Sequence, residues 1–425
     1  MKAIINGGKK LSGEVSVSGA KNSATRVLAA ACLSDEEVTL TNFPTELVDV
    51  NHKIRFLKEI GINISVDRTE ENLTLSASSL RNEELTNYNF PIRTTYLLAP
   101  CLLKKNGEAR IPYPGGCQIG ARGYDLHVMV WEKMGCTVTE HENFIHIKAN
   151  DSLKGANIKF PISTVGGTES AILCGAIAEG KTEISNAYIT PEVKDLIDFM
   201  ERMGADITVI GSSKIIINGV DHLKGCVKRI MYDRIEALTW LVLAVMSKSS
   251  LLIKNVPFSD MTVPLLHLKE SGIDFMQNES SIYYRHEFCV YKNPQPFDIA
   301  CGAHPGIISD MQSFYTLLAL VSDGNSKIFD YRYPKRIEYA YELEKQINGG
   351  KISAVHGEIS VTGPVNFKAA NVHSTDLRGS MAVLMAALCA EGESVITRVE
   401  MALRGYNRLD EKLKGLGADI KILED

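Results

Sequence analysis

Residues 201–207 read Glu201-Arg202-Met203-Gly204-Ala205-Asp206-Ile207, and the arrangement returns five more times. It stands at 57–64 as LKEIGINI, at 132–138 as EKMGCTV and at 268–275 as LKESGIDF. It stands again at 346–352 as QINGGKI and at 413–420 as LKGLGADI. The interval is roughly 70 residues throughout, which is the mark of a structural repeat. Each copy reads as a helix end, a glycine and a short alternating stretch. The glycine suits a helix C-terminal cap, because it enters the left-handed region without steric cost. The alternation after it suits a half-buried strand.

A second motif interleaves with the first. Six apolar stretches rich in small residues begin near Ala24, Thr94, Glu169, Ala237, Ser313 and Gly379. They read ATRVLAAACL, TTYLLAPCLL, ESAILCGAIA, ALTWLVLAVM, SFYTLLALVS and GSMAVLMAAL. Apolar residues run nearly all the way round each, which predicts a buried helix. Each is followed by a polar turn and then strand residues such as VTLTN or TEISN. The stretches are too short for a membrane span. Two motifs in phase over six copies predict an α/β chain of six repeated units, which divide naturally into two domains of three.

Bulk properties narrow the function classes. The chain has 425 residues, 45% hydrophobic and 23% charged, as in soluble globular proteins of two or three domains. A net charge of −5 offers no general attraction to nucleic acid or an anionic membrane. The opening MKAIINGGKK lacks the apolar core of a signal peptide. Nine scattered cysteines without CxxC pairs fit a reducing compartment, so a cytoplasmic location is expected.

Polar chemistry gathers at the starts of the six apolar stretches. These starts carry Lys21 and Asn22, then Arg93, then Ser163, Thr164, Val165 and Gly166. The later three carry Asp233 with Arg234, His304 with Asp310, and Asp376 with Arg378. A helix N-terminus offers unpaired N–H groups and a partial positive charge, and so binds anions. Capping by Ser18, Ser163, Ser374 or Asp310 is the plain alternative. Capping does not explain Lys21, Arg93, Arg234 and Arg378, since cations disfavour that end of a helix. They predict an anion lying between them.

The segment 110–127, RIPYPGGCQIGARGYDLH, reads as a glycine-rich loop around Cys117. Arg110 and Arg122 flank the cysteine in sequence, and cationic neighbours make a thiol more reactive. The phosphate-loop pattern GxxxxGK[ST] is absent. His127 reads equally as a substrate ligand or as an orienter of the loop. The histidines show no metal-ligand spacing.

These residues resemble the enolpyruvyl transferase family over essentially the whole chain, and most of all its UDP-N-acetylglucosamine 1-carboxyvinyltransferase branch. The resemblance rests on LSGEVSVSGAKNSA (11–24), PGGCQIGAR (114–122), YDRIEA (232–237), HPGIISDMQ (304–312), STDLRGS (374–380) and LRGYNRLDEKL (403–413). It implies an inside-out α/β barrel fold, EPSP synthase-like, with two domains of three repeats. The first would span 20–233 with the Cys117 loop. The second would combine 1–19 with 234–425, the active site lying in the cleft between the two.

The resemblance also implies roles. Lys21, Arg122 and Arg404 match residues that hold the phosphate of phosphoenolpyruvate. Arg336 and Arg378 match those that hold its carboxylate, with Arg93 nearby. Asp310 matches the base for the acceptor hydroxyl, and Asp376 a further active-site carboxylate. Cys117 matches the loop cysteine that adds to phosphoenolpyruvate and is alkylated by fosfomycin. Asn22, Asp125, His127, Ser163, Thr164, Val165 and Gly166 match the region contacting the sugar nucleotide. The partners implied are small molecules, and the chemistry requires no metal or organic cofactor. The implied role is the first committed step of peptidoglycan synthesis.

The sequence departs from that branch at several places. Gly123 and Tyr124 stand where Pro-Val is usual, Leu97 where an aromatic is usual, and Ile162 near a usual lysine. Thr190 and Lys335-Arg336-Ile337 depart likewise. The phosphoenolpyruvate positions are kept while acceptor positions change. Two alternatives therefore stand: another nucleotide acceptor, such as UMP in nucleoside-antibiotic biosynthesis, or a non-catalytic regulatory homologue.

Overall fold

The computed structural model describes residues 1–81, 92–113, 115 and 123–424. Cys117 and Arg122 lie outside the described residues. The repeat glycines behave as their position demands. Gly61, Gly135, Gly204, Gly272, Gly350 and Gly417 all have positive φ, between 63° and 94°. The first three follow the helices Val48–Glu59, Asp125–Lys133 and Pro191–Arg202, and the last three follow Thr262–Glu270, Glu338–Lys345 and Leu409–Gly415. Two copies depart from the simple pattern. In the fourth, the strand starts only at Met276. In the fifth, a short strand Ile347–Asn348 precedes the Gly349-Gly350 pair.

The six apolar stretches are helices, and their starts follow local chemistry. Four are regular: Lys21–Ala31, Val165–Ala176, Arg234–Met246 and Leu377–Cys389. The second begins as a 3₁₀ turn, Arg93–Leu98, and becomes α-helical at Ala99–Asn106. Pro100 stands at that junction, where it has no N–H to give to a carbonyl one turn back. The fifth likewise begins as 3₁₀ over Ser309–Met311 and continues as Gln312–Leu320. Every residue of Arg234–Met246 is buried, as an apolar circumference requires.

The chain falls into two compact units, divided between Ser18 and Gly19 and between Met231 and Tyr232. One holds Met1–Ser18 and Tyr232–Asp425, and the other the described residues between 19 and 231. Both are built alike. In each, the buried helices form the interior and twisted sheets form the outer layer. The strands alternate accordingly, with Leu73 and Leu75 of Asn72–Ser76 buried and their neighbours partly exposed. Helix-inside, sheet-outside is the inside-out α/β fold.

Five of the six main sheets share one pattern: a parallel edge strand, then two antiparallel pairings. Asn157–Thr164 runs parallel to Lys181–Ala187, which pairs antiparallel with Lys214–Asn218 and through it with Asp206–Ile210. Asp298–Ala300 repeats this with Asn325–Phe329, Glu358–Thr362 and Lys351–Val355. The sheet of the second repeat shows only the antiparallel strands among the described residues.

Three strands come from far away in sequence. Val227–Arg229 returns to lie parallel to Val38–Thr41 and closes the first sheet of its unit. Ser12–Ser16 does the same for Ser250–Lys254 in the other unit. Lys2–Gly7 sits between Gly392–Thr397 and Asp419–Leu423 as a central strand. Each unit has its own core, with Trp240 fully buried in one and Trp131 in the other. Among the described residues no helix is long and apolar enough to cross a membrane.

Candidate active site

In the unit holding the C-terminal half, three helix starts bring four charged side chains together. Asp310 lies in the 3₁₀ turn that opens the fifth buried helix. It is not that helix's cap. Its carboxylate instead accepts from Nη1 of Arg336 at 2.7 Å. Arg336 also gives Nε and Nη2 to Oδ1 of Asp376, at 3.3 and 3.2 Å. Asp376 does cap its helix, accepting from the N–H groups of Arg378 at 3.1 Å and Gly379 at 3.4 Å. Capping and charge pairing are thus carried by one carboxylate. Gly379 is obligatory beside it, because a Cβ there would stand 2.6 Å from Oδ2 of Asp376 and 2.7 Å from Cβ of Tyr339.

Arg378 completes the group. Its Nε lies 3.7 Å from Oδ2 of Asp310, and its guanidinium carbon stands 5.3 Å from the centre of the Tyr406 ring. The side chain is 1% exposed, yet Nε and Nη1 have no hydrogen-bond partner. Burial works against its charge, but Tyr406, Asp310 and Asp233 outweigh it and hold its pKa above the ordinary arginine value. Asp233 caps the fourth buried helix through Ile235 N–H at 2.8 Å, and burial raises its pKa against the pull of Arg378. A buried guanidinium with two open donors is a costly arrangement unless something accepts from them. Of the four groups only Asp310 is substantially accessible, its side chain 29% exposed against 8% or less for the others. Arg234 and Arg404 are buried in the same unit, Arg404 just past the short helix Glu400–Leu403.

The other unit gathers a second set. Lys21 is the first residue of its helix, and its Nζ meets Oδ2 of Asp49 at 2.7 Å. Asn22 follows it, and its carbonyl accepts from Arg26, whose Nε holds Glu169 at 2.6 Å. Ser18 plays no capping role here: the N-cap is Ala20, and Oγ of Ser18 accepts from Lys412 in its own unit. Arg93 donates to the carbonyl of Gly123, next to Asp125 at the start of Asp125–Lys133. Ser163 belongs to a strand, while Thr164 caps the third helix, accepting from Gly167 N–H at 3.3 Å.

His127 is buried, with Nδ1 2.7 Å from Oγ of Ser170 and its ring 5.0 Å from that of Tyr96. Burial first, and then the Arg93 charge, lower its pKa to about 3, so it is neutral near pH 7. Its Nε2 would lie 2.9 Å from a Cβ on Gly166, which explains the glycine at that position. Leu97 is buried in the core, and its neighbour Tyr96 supplies an aromatic ring against His127. Ile162, by contrast, is 65% exposed.

Sequence reasoning missed Asp49, Tyr406 and Ser170, the partners that hold Lys21, Arg378 and His127. Tyr406 stood inside the quoted LRGYNRLDEKL, and its nearness to Arg404 was the one available signal. For Asp49 and Ser170 the contacts join separate elements and leave no local trace.

The comparisons with known proteins follow this geometry. The profile of the EPSP synthase (3-phosphoshikimate 1-carboxyvinyltransferase) family matches residues 5–413. A UDP-N-acetylglucosamine 1-carboxyvinyltransferase from Koribacter versatilis is 37% identical, over 99% of this chain and 96% of its own. UDP-N-acetylglucosamine 1-carboxyvinyltransferase 2 of Streptococcus thermophilus is 35% identical over the full length of both chains. Among solved structures, the enolpyruvyl transferase NikO from Streptomyces tendae superposes with a TM-score of 0.88 at 25% identity, covering 99% of this chain and 98% of its own. An EPSP synthase from Acinetobacter baumannii gives a TM-score of 0.74 at 17% identity over 99% of each chain, a likeness of fold. With the repeated inside-out units and the profile match spanning both, this chain belongs to the enolpyruvyl transferase family and is a transferase of the 1-carboxyvinyl type.

Proposed function

We propose that the protein transfers the enolpyruvyl group of phosphoenolpyruvate to the 3-hydroxyl of UDP-N-acetylglucosamine, releasing phosphate. The observation that carries this reading is Arg378, fully buried with two open donors beside the accessible carboxylate of Asp310. A buried guanidinium with open Nε and Nη1 donors suits an anionic acceptor such as a carboxylate. A neighbouring accessible carboxylate suits a general base. The full-length relatives of 35–37% identity, named for that sugar nucleotide, support the acceptor.

In this reading protonation of the methylene carbon of phosphoenolpyruvate makes its central carbon cationic. The acceptor oxygen attacks that carbon, and Asp310 takes the hydroxyl proton. The tetrahedral ketal then loses a methyl proton and expels phosphate. Arg336 and Arg378 hold the carboxylate, while Lys21, Arg122 and Arg404 take the phosphate charge as it develops. Asp376 keeps Arg336 in place, and Cys117 takes the part of the cysteine that adds to phosphoenolpyruvate. Asn22, Asp125, His127, Ser163, Thr164, Val165 and Gly166 line the acceptor, Arg93 lies near the phosphoenolpyruvate carboxylate, and Arg234 is a further substrate-binding residue. In this reading the domains are 20–233 and 1–19 with 234–425. The place is the cytoplasm, the role peptidoglycan synthesis, and fosfomycin is an inhibitor through Cys117.

A second acceptor is favoured by one observation. Ile162, near the usual lysine, presents an exposed apolar side chain on the strand that leads into the third helix start. An enzyme that needed a charge there would lose it, and another nucleotide such as UMP would be the acceptor. The deciding experiment offers purified protein phosphoenolpyruvate with UDP-N-acetylglucosamine or with UMP, reading phosphate release and product mass. Turnover with the sugar nucleotide is expected. Turnover with UMP alone would replace the acceptor, and silence with both would overturn the catalytic reading.

A further inference from the structure

The proposed reaction uses Lys21 and Arg93 in one unit, and neither explains a third cation lying between their helices. Lys53 is completely buried. It sits on the outer helix Val48–Glu59, one turn beyond Asp49. Its ammonium donates to the carbonyl of Thr25, and to the carbonyl and Oγ1 of Thr94 at 3.3 and 3.4 Å. Three donors thus meet three oxygens, none of them a carboxylate. A lysine is almost never buried in this way unless the site is built to receive it.

The contacts are in register. Residues four apart share one face of a helix. Asp49 and Lys53 are four apart on the outer helix, and their partners Lys21 and Thr25 are four apart on the buried one. The outer helix therefore grips the first turns of the Lys21 helix at two points. Its second grip extends to Thr94, the residue that follows Arg93. One ammonium ties the turn that presents Lys21 to the turn that presents Arg93.

We propose that Lys53 is a positioning residue that fixes Lys21 and Arg93 relative to each other for binding of phosphoenolpyruvate; this rests on the function proposed above. Four groups face the ammonium from the elements packed on it: Arg26 and Cys32, Cys101, and Glu169. The thiols are held neutral by burial, and Glu169 is taken by Arg26 at 2.6 Å. Burial lowers the Lys53 pKa to about 7. As pH rises through that value the amine keeps two N–H donors and cannot satisfy three oxygens. The grip is present below pH 7 and loosens above it.

The test compares wild type with Lys53→Met and Thr94→Val, measuring kcat, KM for phosphoenolpyruvate and for the acceptor, and pH profiles from 6 to 9. Methionine keeps the volume without donors, and valine removes one acceptor while leaving Lys53 in place. In Lys53→Met the KM for phosphoenolpyruvate should rise about tenfold or more, as displacement of positioned groups does, with acceptor KM little changed. The alkaline fall in wild-type kcat/KM for phosphoenolpyruvate should vanish in the same variant. Thr94→Val should give a smaller rise and decides the matter if Lys53→Met does not fold. An active wild type with unchanged KM and an unchanged pH profile in the variants would overturn the role of Lys53 alone. A wild type that neither turns over nor binds phosphoenolpyruvate by calorimetry would overturn the function and this role together.

Discussion

Asp376 performs two tasks that substitution can separate. It caps the sixth buried helix and it receives two bonds from Arg336. Replacement by alanine removes both. Loss of an N-cap costs about 1 kcal/mol. Loss of hydrogen bonds to a charged partner costs about 1.5–3 kcal/mol. The larger penalty of about 3–5 kcal/mol for stranding a buried charge is not reached, because Arg336 retains Asp310 at 2.7 Å. The total for Asp376→Ala is about 3 kcal/mol. Asparagine caps a helix as well as aspartate does and still offers an oxygen to Arg336, so Asp376→Asn should cost about 1 kcal/mol. In a unit of this size each kcal/mol moves the midpoint by about 2–4 °C. The alanine variant should therefore melt about 6–12 °C lower, and the asparagine variant about 2–4 °C lower. A Trp131→Phe background leaves Trp240 as the one tryptophan, buried in the unit that holds Asp376. Its fluorescence during thermal and urea unfolding reads the effect. Equal losses in the two variants would refute the separation, since they would show that the cap contributes nothing.

Two further outcomes follow from the other unit. His127 has its pKa depressed to about 3 by burial and by Arg93, so between that value and its unfolded pKa the unfolded chain binds the extra proton. Its contribution is complete above about pH 6.5 and falls by at most about 1.4 kcal/mol per pH unit as pH drops toward 3. His127→Gln should flatten part of that acid limb, and an identical limb would exclude His127 as its source. Gly166→Ala would drive a methyl to 2.9 Å from Nε2 of a ring already wedged by Ser170 and Tyr96. A loss of about 1–3 kcal/mol is expected by denaturant unfolding, and unchanged stability would show that the ring has room to retreat.

The sixfold repeat was legible because its signals are local. A glycine after each outer helix and an apolar circumference on each inner one are written within a few residues, and all six glycines adopt the expected conformation. The charged helix starts were legible for the same reason, since a cation at an N-terminus conflicts with the helix dipole unless an anion or carboxylate is supplied. Contacts set by the third dimension were not. Lys53 reads as an ordinary polar residue in HKIRFLKE, yet it lies completely buried against two other helices. For Asp310 the sequence left capping open beside a role as base, and only the 3₁₀ opening of its helix shows the carboxylate meeting Arg336 rather than capping. The ends of sheets were equally silent, for no local pattern tells Lys2–Gly7 to seek residues near 392 and 419.

That strand has a consequence for how the molecule is made. Lys2–Gly7 leaves the ribosome long before both of its neighbours, Gly392–Thr397 and Asp419–Leu423. At usual rates of synthesis it waits about 20–80 s for them. The unit between residues 19 and 231 has every strand it needs once Val227–Arg229 has emerged, and so can fold while the chain is still growing. The other unit keeps a naked, alternating strand in the open until those two neighbours emerge, and during that interval Lys2, Lys9 and Lys10 are the charges that discourage it from pairing with a neighbouring nascent chain.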